Sequence, residues 1–368
     1  MPYSTVLFTI SSFRKQLGVL FFSAFLSLPS IAGHVDTAIS DNHSHHQNEG
    51  KKSTKFDAGK MIMDHISDSH DWHLWGEGHG AVSIYLPVIL YVKSKGLLVF
   101  MSSKFEHGHK SYLGFVLNKE NKVVWESSDT IEPIYDISIT KNVAAMFVSV
   151  LTLLILVIGM ASSYKKRAGK APKGIHNLIE PLILFIRDDV TKPALGQKTD
   201  RFMPFLLTIF FFIFVNNLFG LIPIFPGGAN VTGNIAIAMV LATLIFLTVN
   251  LKAKKQYWKH IFLPDVPIWM YVIIIPIEIL GLVLKPFVLM LRLFANITAG
   301  HIIILGFFSL IFIFGAMHPG VGYIVSPFVV AFAIFMSLLE LLVAFLQAYV
   351  FTLLSAIYIG MALEEDHH

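Results

Sequence analysis

The sequence predicts an all-α polytopic membrane protein, with about five transmembrane helices, one interfacial amphipathic helix and a small β-containing region outside the membrane. Two observations carry this prediction. Of the 368 residues, 55% are hydrophobic and only 14% are charged, whereas about a quarter of the residues in a soluble domain are charged. The apolar residues also gather in long stretches after residue 141, with a mean hydropathy for the whole chain of +0.66. Such a chain has an apolar surface that lipid must solvate.

Composition also excludes several classes of function. The chain has no Cys, which excludes disulfides, thiol nucleophiles and iron–sulfur clusters. Its formal charge of +4 is too small to indicate a nucleic-acid partner. No phosphate-binding loop is present, so we expect no nucleotide site, no cofactor and no enzymatic activity of the chain on its own.

Residues 1–32 are predicted to be a signal peptide. Arg14 and Lys15 precede an apolar run from Leu17 to Leu28, and the small residues Ser30 and Ala32 follow it. This order of a basic segment, an apolar segment and small residues is typical of a secretory signal, and the run is too short to cross a ~30 Å hydrocarbon core. An uncleaved amphipathic N-terminus is the alternative, and cleavage stays open.

Residues 33–140 are predicted to form an extracytoplasmic region. Within it, 81–126 alternates β-branched and aromatic residues around two turn signals, at 93–96 and 118–121, a pattern that indicates strands. This region is also rich in histidine, at His43, His45, His46, His65, His70 and His73. Their spacing matches no standard metal site, so we predict no metal. A solvated, pH-sensitive surface is the simpler interpretation, and the role of the region stays open.

Residues 141–363 are predicted to form the membrane domain, followed by a cytoplasmic tail at 364–368. A segment at 172–200 is amphipathic and is expected to lie at the membrane interface. The expected spans are 142–163, 202–225, 233–251, 268–315 and 323–363.

The distribution of basic residues predicts the orientation. Lys/Arg clusters follow the first and third spans, whereas the loops 224–233 and 316–327 contain no charged residue. Because Lys and Arg concentrate in cytoplasmic loops, the N-terminus is expected outside and the C-terminus in the cytoplasm. The last two apolar stretches have 48 and 41 residues, about twice what a perpendicular helix needs. Each helix must therefore be strongly tilted or broken.

These two long stretches also contain polar residues that lipid does not tolerate. The set is Glu278, Lys285, Arg292, Asn296, His301, Glu340 and Gln347. One charge at mid-membrane costs ~2.5–3.5 kcal/mol on insertion scales, so the set indicates an ion site or a water-filled pathway. The seven-residue spacing of Glu278, Lys285 and Arg292 places them along one helix face, because that face drifts only about 20° per heptad. His301 lies about 180° around the helix from Arg292.

Ordinary structural explanations compete at several of these positions. Lys285 could extend to the cytoplasmic surface, Glu278 could be an interfacial anchor, and His301 could be a hydrogen-bonded packing residue. Arg292 has the weakest such explanation, because apolar residues flank it on both sides and a guanidinium cannot lose its proton.

Three motifs resemble subunit a of F-type ATP synthases. They are the segment 276–301, with Leu291-Arg292-Leu293-Phe294-Ala295-Asn296 at its centre, the final-helix segment 346–351, and the segment 216–223 with Asn216 and Asn217. The resemblance covers about 142–363. It implies that the last two helices form a long tilted hairpin around a rotating c-ring. It also implies a function as the stator proton-channel subunit of the Fo sector, with two half-channels that reach the ring carboxylates.

The resemblance also implies roles for individual residues. Arg292 matches the essential arginine that separates the half-channels, and Gln347 matches a polar residue facing it. Asn296, His301 and Glu340 match the outer half-channel, and Glu278 matches the cytoplasmic one. Asn216, Asn217 and Lys285 are further candidates.

The implied partners are the c-ring, the peripheral stalk of subunit b and the lipid bilayer. The translocated ion would be H⁺, with Na⁺ left open, and the location would be a bacterial inner membrane. The alternative is an independent secondary transporter with an ion or solute site at mid-membrane, a class that often contains internal repeats. We find no repeat in this sequence.

Overall fold

The computed structural model describes residue 16 and residues 58–75, 82–108, 110–118, 121–127, 132–166, 174–222, 227–264 and 266–364. The predicted signal peptide, apart from residue 16, and the histidines before residue 58 lie outside these ranges. The described residues belong to two compact units. One comprises 58–142 with 298–340, and the other comprises 143–297 with 341–368.

The N-terminal region before the first membrane helix, predicted to be extracytoplasmic, contains strands where the sequence predicted them. It begins with helix α1 (Ala58–Ile66), and all the strand pairs that follow are antiparallel. The strands are β1 (Asp71–Trp75), β2 (Val82–Tyr85), β3 (Pro87–Val92), β4 (Gly96–Met101), β5 (Phe115–Leu117), β6 (Val123–Trp125) and β7 (Tyr135–Asp136). Both predicted turn signals connect strands, at β3–β4 and β5–β6.

The core of this region lies on one side of the sheet β4-β3-β7. Val88, Leu90 and Val92 alternate along β3 and are fully buried, together with Phe105 and Phe115. Because successive strand residues point to opposite faces, the alternation assigns the even-numbered residues of β3 to the core. The outer face of the same sheet then carries the odd-numbered residues.

A buried polar cluster connects the strands to the first membrane helix. His70 is 4% exposed and its Nε2 lies 3.0 Å from Oδ2 of Asp136. Asp68 accepts hydrogen bonds from the backbone N–H groups of Ser69 and Asn142, each at 3.0 Å. Lys141 donates from Nζ to the carbonyl oxygen of Ser67 at 3.0 Å. The first turn of the helix is therefore hydrogen-bonded to the N-terminal region.

The pKa values of this cluster follow from burial and pairing. Burial alone would lower the pKa of His70, but the hydrogen bond and charge of Asp136 outweigh it and raise that pKa. Burial would likewise raise the pKa of Asp136, but the hydrogen bond to His70 reverses the direction. For Asp68 burial dominates, so its pKa is raised despite the hydrogen bond from Asn142.

Helices make up most of the remaining described residues. Their bounds are α2 (Lys141–Lys166), α3 (His176–Phe185), α4 (Lys192–Leu195), α5 (Thr199–Leu221), α6 (Ile235–Lys252), α7 (Lys255–Phe262), α8 (Tyr271–Met317) and α9 (Pro319–Ala362). Among the described residues, five helical stretches are long and apolar enough to cross a membrane, which confirms the predicted number. The chain is thus a multi-pass membrane protein.

The segment predicted to be interfacial continues into the second span. A π-helical turn (Ile186–Thr191) joins α3 to α4, and Gly196, whose φ is +53°, follows α4. The ring centroid of Phe185 lies 5.4 Å from that of Tyr349 in α9. Beyond Gly196, Lys198 donates to the carbonyl oxygen of Leu363 at 2.7 Å. The candidate span accordingly covers Asn177–Leu221 as one stretch, and an interfacial position for 172–200 stays a prediction.

The two longest helices are not broken. Helix α8 has 47 residues and α9 has 44, despite Pro276 and Pro286 in the first and Pro327 in the second. At 1.5 Å per residue each helix is about 65–70 Å long. Of the two alternatives left by their length, a break is therefore wrong, and a strong tilt is the consistent one.

Candidate functional site

Arg292 lies on the outer surface of α8. The residue is exposed, and its neighbours Leu291, Phe287 and Val288 are exposed as well, while Leu293 beside it is fully buried. Only 6% of the residues in the most apolar window of this helix are buried inside the chain. The guanidinium is thus a permanent positive charge on a face of α8 that the described chain does not cover.

One turn further along α8, Asn296 is hydrogen-bonded to α9. Its Nδ2 donates to Oε1 of Gln347 at 2.9 Å. Gln347 is 3% exposed, and its Nε2 has no hydrogen-bond partner among the described residues. The pair fixes the polar positions of the two helices against each other, and it leaves one buried amide donor available for water or an incoming group.

A second polar group forms around Glu340. Its side chain is half-buried, and its Oε1 has no hydrogen-bond partner in the described part of the chain. His301 lies near this carboxylate. Gly300 makes the approach possible, because a Cβ at this position would lie 2.2 Å from Oε1 of Glu340. The structure therefore brings His301 and Glu340 near each other, and their part in a proton pathway stays a prediction.

A third polar group lines a small open pocket between α6, α7, α8 and α9. Lys285 lines this pocket, and its Nζ lies 5.7 Å from the ring centroid of Tyr358. Asn250 donates to the carbonyl oxygen of Phe246 at 2.7 Å, but its buried Oδ1 has no partner within the described ranges. Tyr257 also lines the pocket. Its pKa is raised by burial and then by the charge of Glu278.

Asn217 braces the helices around the site, and Asn216 lies beside it in α5. Asn217 donates to the carbonyl oxygen of Ala344 in α9 at 3.2 Å and accepts from the Thr232 hydroxyl at 2.5 Å. Asn216 donates to the carbonyl oxygen of Phe212 at 2.7 Å, and its buried Oδ1 has no partner among the residues described. Asn217 thus connects α5, the loop before α6, and α9.

Among the described residues, no group of three or more His, Cys, Asp or Glu could hold a metal ion. His70 is paired with Asp136, and Nδ1 of His73 lies 3.3 Å from the Ser83 hydroxyl. His43, His45 and His46 lie outside the described residues.

The structure brings the predicted residues together in small groups and adds residues that the sequence did not single out. Asn296 is joined to Gln347, His301 to Glu340, and Glu278 and Lys285 lie beside tyrosines. Gly300 was visible only as part of a motif. Asn250, Tyr257 and Tyr358 had no sequence signal of their own, because their proximity to α8 is a tertiary contact.

Comparison with known proteins covers both the helical part and the strand-containing part of the chain. A family model described as ATP synthase A chain matches residues 143–360, and a model described as a domain of unknown function matches residues 61–141. The similar proteins include an ATP synthase subunit a of Chloroherpeton thalassium, 47% identical over 64% of this chain and 69% of that protein. An ATP synthase subunit a 2 of Chlorobaculum tepidum is 47% identical over 62% of this chain and 64% of its own length.

A more distant relative, an ATP synthase subunit a of Myxococcus xanthus, is 41% identical over 63% of this chain and 75% of that protein. In each case the aligned part is long enough to include most of the membrane helices, and the first family model alone covers more than half of the 368 residues. The chain therefore belongs to the ATP synthase A chain family.

Proposed function

We propose that this chain is the stator proton-channel subunit in the Fo sector of a rotary ATP synthase of a bacterial inner membrane. The observation that carries the proposal is Arg292, a permanent charge exposed on the surface of an apolar helix. A charge in this position is costly in lipid. It becomes favourable where an ionised carboxylate of another subunit passes in front of it.

The passing carboxylate would belong to the c-ring. A unit positive charge about 4 Å from a carboxylate stabilises its ionised form by ~4 kcal/mol at an effective dielectric constant of 20. Since a pKa unit corresponds to about 1.4 kcal/mol, Arg292 would lower the pKa of that carboxylate by roughly three units. A protonated ring site would therefore lose its proton as it reaches Arg292, and protons could not pass directly between the two half-channels.

The remaining polar groups fit the two half-channels on either side of this barrier. His301 and Glu340 would deliver protons from the outside, since both can bind and release a proton and the Glu340 carboxylate has an unpartnered oxygen. Asn296 and Gln347 would hold water next to Arg292. On the cytoplasmic side, Glu278 would accept the released proton, with Lys285, Asn250, Tyr257 and Tyr358 lining the open pocket.

The same proposal gives the orientation and the partners. The N-terminal region would be extracytoplasmic and the C-terminus cytoplasmic, as the positive-inside rule predicts. The c-ring would contact the exposed faces of α8 and α9, and subunit b would hold the chain stationary. Nucleotide binding would be left to other subunits. H⁺ is the proposed ion, and Na⁺ would be decided by ligands on the ring.

Replacing Arg292 tests the proposal. We expect Arg292→Ala to abolish proton-driven ATP synthesis in inverted membrane vesicles while the complex still assembles. The matched control is Arg201→Ala, which removes another exposed arginine, one whose guanidinium lies 5.6 Å from the Phe202 ring. Wild-type coupling in the Arg292 variant would refute the assignment. Purification in mild detergent addresses the transporter alternative, because a lone chain that transports a solute without a c-ring would contradict a stator role.

A further inference from the structure

The outer face of the sheet β4-β3-β7 is apolar although it is not covered by described residues. In antiparallel sheets with one solvated face, that face normally carries polar side chains. Here Leu97 is 63% exposed and Val99 62%, both on β4, and Tyr91 is 45% exposed on β3. On the other side of β3, Tyr135 is 48% and Ile137 is 38% exposed.

These side chains form one continuous surface, which we call the apolar sheet face and define as Pro87, Ile89, Tyr91, Leu97, Val99, Met101, Tyr135 and Ile137. The strand register places them side by side: Ile89 pairs with Val99, Tyr91 with both Leu97 and Tyr135, and Pro87 with Met101. The rings of Tyr91 and Tyr135 have centroids 6.2 Å apart. None of the eight residues is charged. Contiguous exposed apolar patches of several hundred Å² mark sites of interaction.

The apolar sheet face is attached to a membrane helix with almost no linker. Ile139 still donates to the carbonyl oxygen of Pro87 at 3.1 Å, in line with β7, and α2 begins two residues later at Lys141. Two residues span at most about 7 Å. The hydrogen bonds of Asp68 and Lys141 also fix the first turn of α2 to the same region. The six residues of β3 add about 20 Å, so the whole sheet must remain near the membrane surface.

We propose that the apolar sheet face rests on the outer surface of the lipid bilayer, with its aliphatic side chains at the acyl boundary and its tyrosines among the headgroups. Tyrosine is enriched at this interface because it has an apolar ring and a polar end. The turn that follows β3 carries the exposed Lys93, whose ammonium can reach headgroup phosphates. The short attachment of β7 to α2 is what favours lipid over a protein partner, since the bilayer is the one apolar phase that this attachment always holds within reach.

The proposal concerns the matched domain of unknown function and does not depend on the channel mechanism. It assigns that domain the role of a lipid-seated platform outside the membrane, which keeps the first turn of α2 in a fixed environment. Fluorescent labelling can test it because the chain has no native Cys, so one introduced Cys is a unique attachment point.

The full chain is reconstituted into nanodiscs after Leu97→Cys, Val99→Cys or Ile137→Cys substitution and labelling with an environment-sensitive dye. The matched control is Glu126→Cys, at an exposed polar position of the same region next to β6. Two quenchers are used, aqueous iodide and a lipid that carries a spin label near its headgroup. We expect the dye at the three sheet positions to be quenched strongly by the lipid and severalfold less by iodide than at position 126.

Three outcomes would overturn the proposal. Equal iodide quenching at positions 99 and 126 would mean that the face is in water. Protection from iodide without lipid quenching would mean that protein covers the face, either the N-terminal segment of this chain or a second copy. Protection that disappears when residues 33–57 are deleted, with residues 1–32 kept for export, would assign the cover to that segment. Because all three sheet positions are exposed, a single substitution there leaves the buried core of Val88, Leu90 and Val92 unchanged.

Discussion

Gly300 is a site where one methyl group should disturb proton transfer. In Gly300→Ala the new Cβ would lie 2.2 Å from Oε1 of Glu340, 3.1 Å from its Cδ and 3.2 Å from its Cγ. Ordinary carbon–oxygen contacts lie at about 3.3–3.6 Å, so the carboxylate oxygen must move by roughly 1 Å. The helix itself gains from the substitution, because Ala is favoured over Gly in a helix by about 1 kcal/mol. The variant should therefore fold and assemble, with Glu340 displaced.

The expected consequence is a loss of proton flux without a loss of protein. Misplacement of a reacting group by 1 Å can cost about 10²-fold in rate, so we expect ATP-driven proton pumping by inverted vesicles to fall by roughly 10- to 100-fold. Passive proton flux through vesicles stripped of the nucleotide-binding subunits should fall equally. Gly306→Ala is the control, since it lies on the same helix and its Cβ would meet nothing within 4 Å.

Two outcomes separate this reasoning from a general packing defect. Shortening the acid with Glu340→Asp in the Gly300→Ala background should restore part of the flux, because the shorter side chain withdraws its oxygen from the new methyl group. If Gly300→Ala pumps at the same rate as Gly306→Ala, the close approach of Gly300 to Glu340 has no role in proton transfer and the reasoning is refuted.

Three further predictions address the hydrogen bonds of the chain. Asn296→Ala and Gln347→Ala should each slow proton pumping. Because both substitutions remove the same hydrogen bond, worth about 1 kcal/mol, the double variant should be no slower than the slower single variant. Additive losses would contradict this coupling. Asn217→Leu should lower the temperature at which the complex dissociates, since it leaves buried partners unsatisfied at ~1–3 kcal/mol, and an unchanged temperature would count against the bracing role. His70 has a raised pKa, so its stabilisation is complete below about pH 6.5 and is lost as the pH rises through the raised value. Amide hydrogen exchange of β3, corrected for intrinsic rates, should therefore accelerate over that pH range in the native chain and in the His73→Asn control. It should not accelerate in His70→Asn. Equal pH profiles in all three proteins would show that His70 is not the group responsible.

Much of the membrane domain follows from local sequence. A stretch of about 20 apolar residues spans a membrane wherever it occurs, so the number of spans could be predicted without knowledge of any contact. The position of Arg292 on an apolar helix could be predicted in the same way, because the free-energy cost of a charge in lipid depends only on that residue and the apolar residues on either side of it. The turns between β3 and β4 and between β5 and β6 could also be located from local sequence, because the residues at 93–96 and 118–121 favour turns by their own backbone preferences.

The sequence did not predict features that depend on contacts between residues distant in the chain. The sequence left a break or a tilt open for α8 and α9, and the structure decided for unbroken helices. Pro276, Pro286 and Pro327 can remain inside transmembrane helices when neighbouring groups compensate for the lost hydrogen bond. The segment 172–200 was separated from the second span because its amphipathic pattern is local, whereas its contacts with Tyr349 and Leu363 are not.

The sequence by itself determined the class of the protein, the approximate spans and the set of polar residues that require a function, because each of these depends on how single residues partition between water and lipid. Only the tertiary structure decided which of these residues meet. Asn296 lies 51 positions from Gln347, and Gly300 is 40 positions from Glu340, so their pairing depends on how α8 and α9 pack. The same holds for the apolar sheet face, whose residues look like an ordinary strand pattern until the register of three strands collects them on one side.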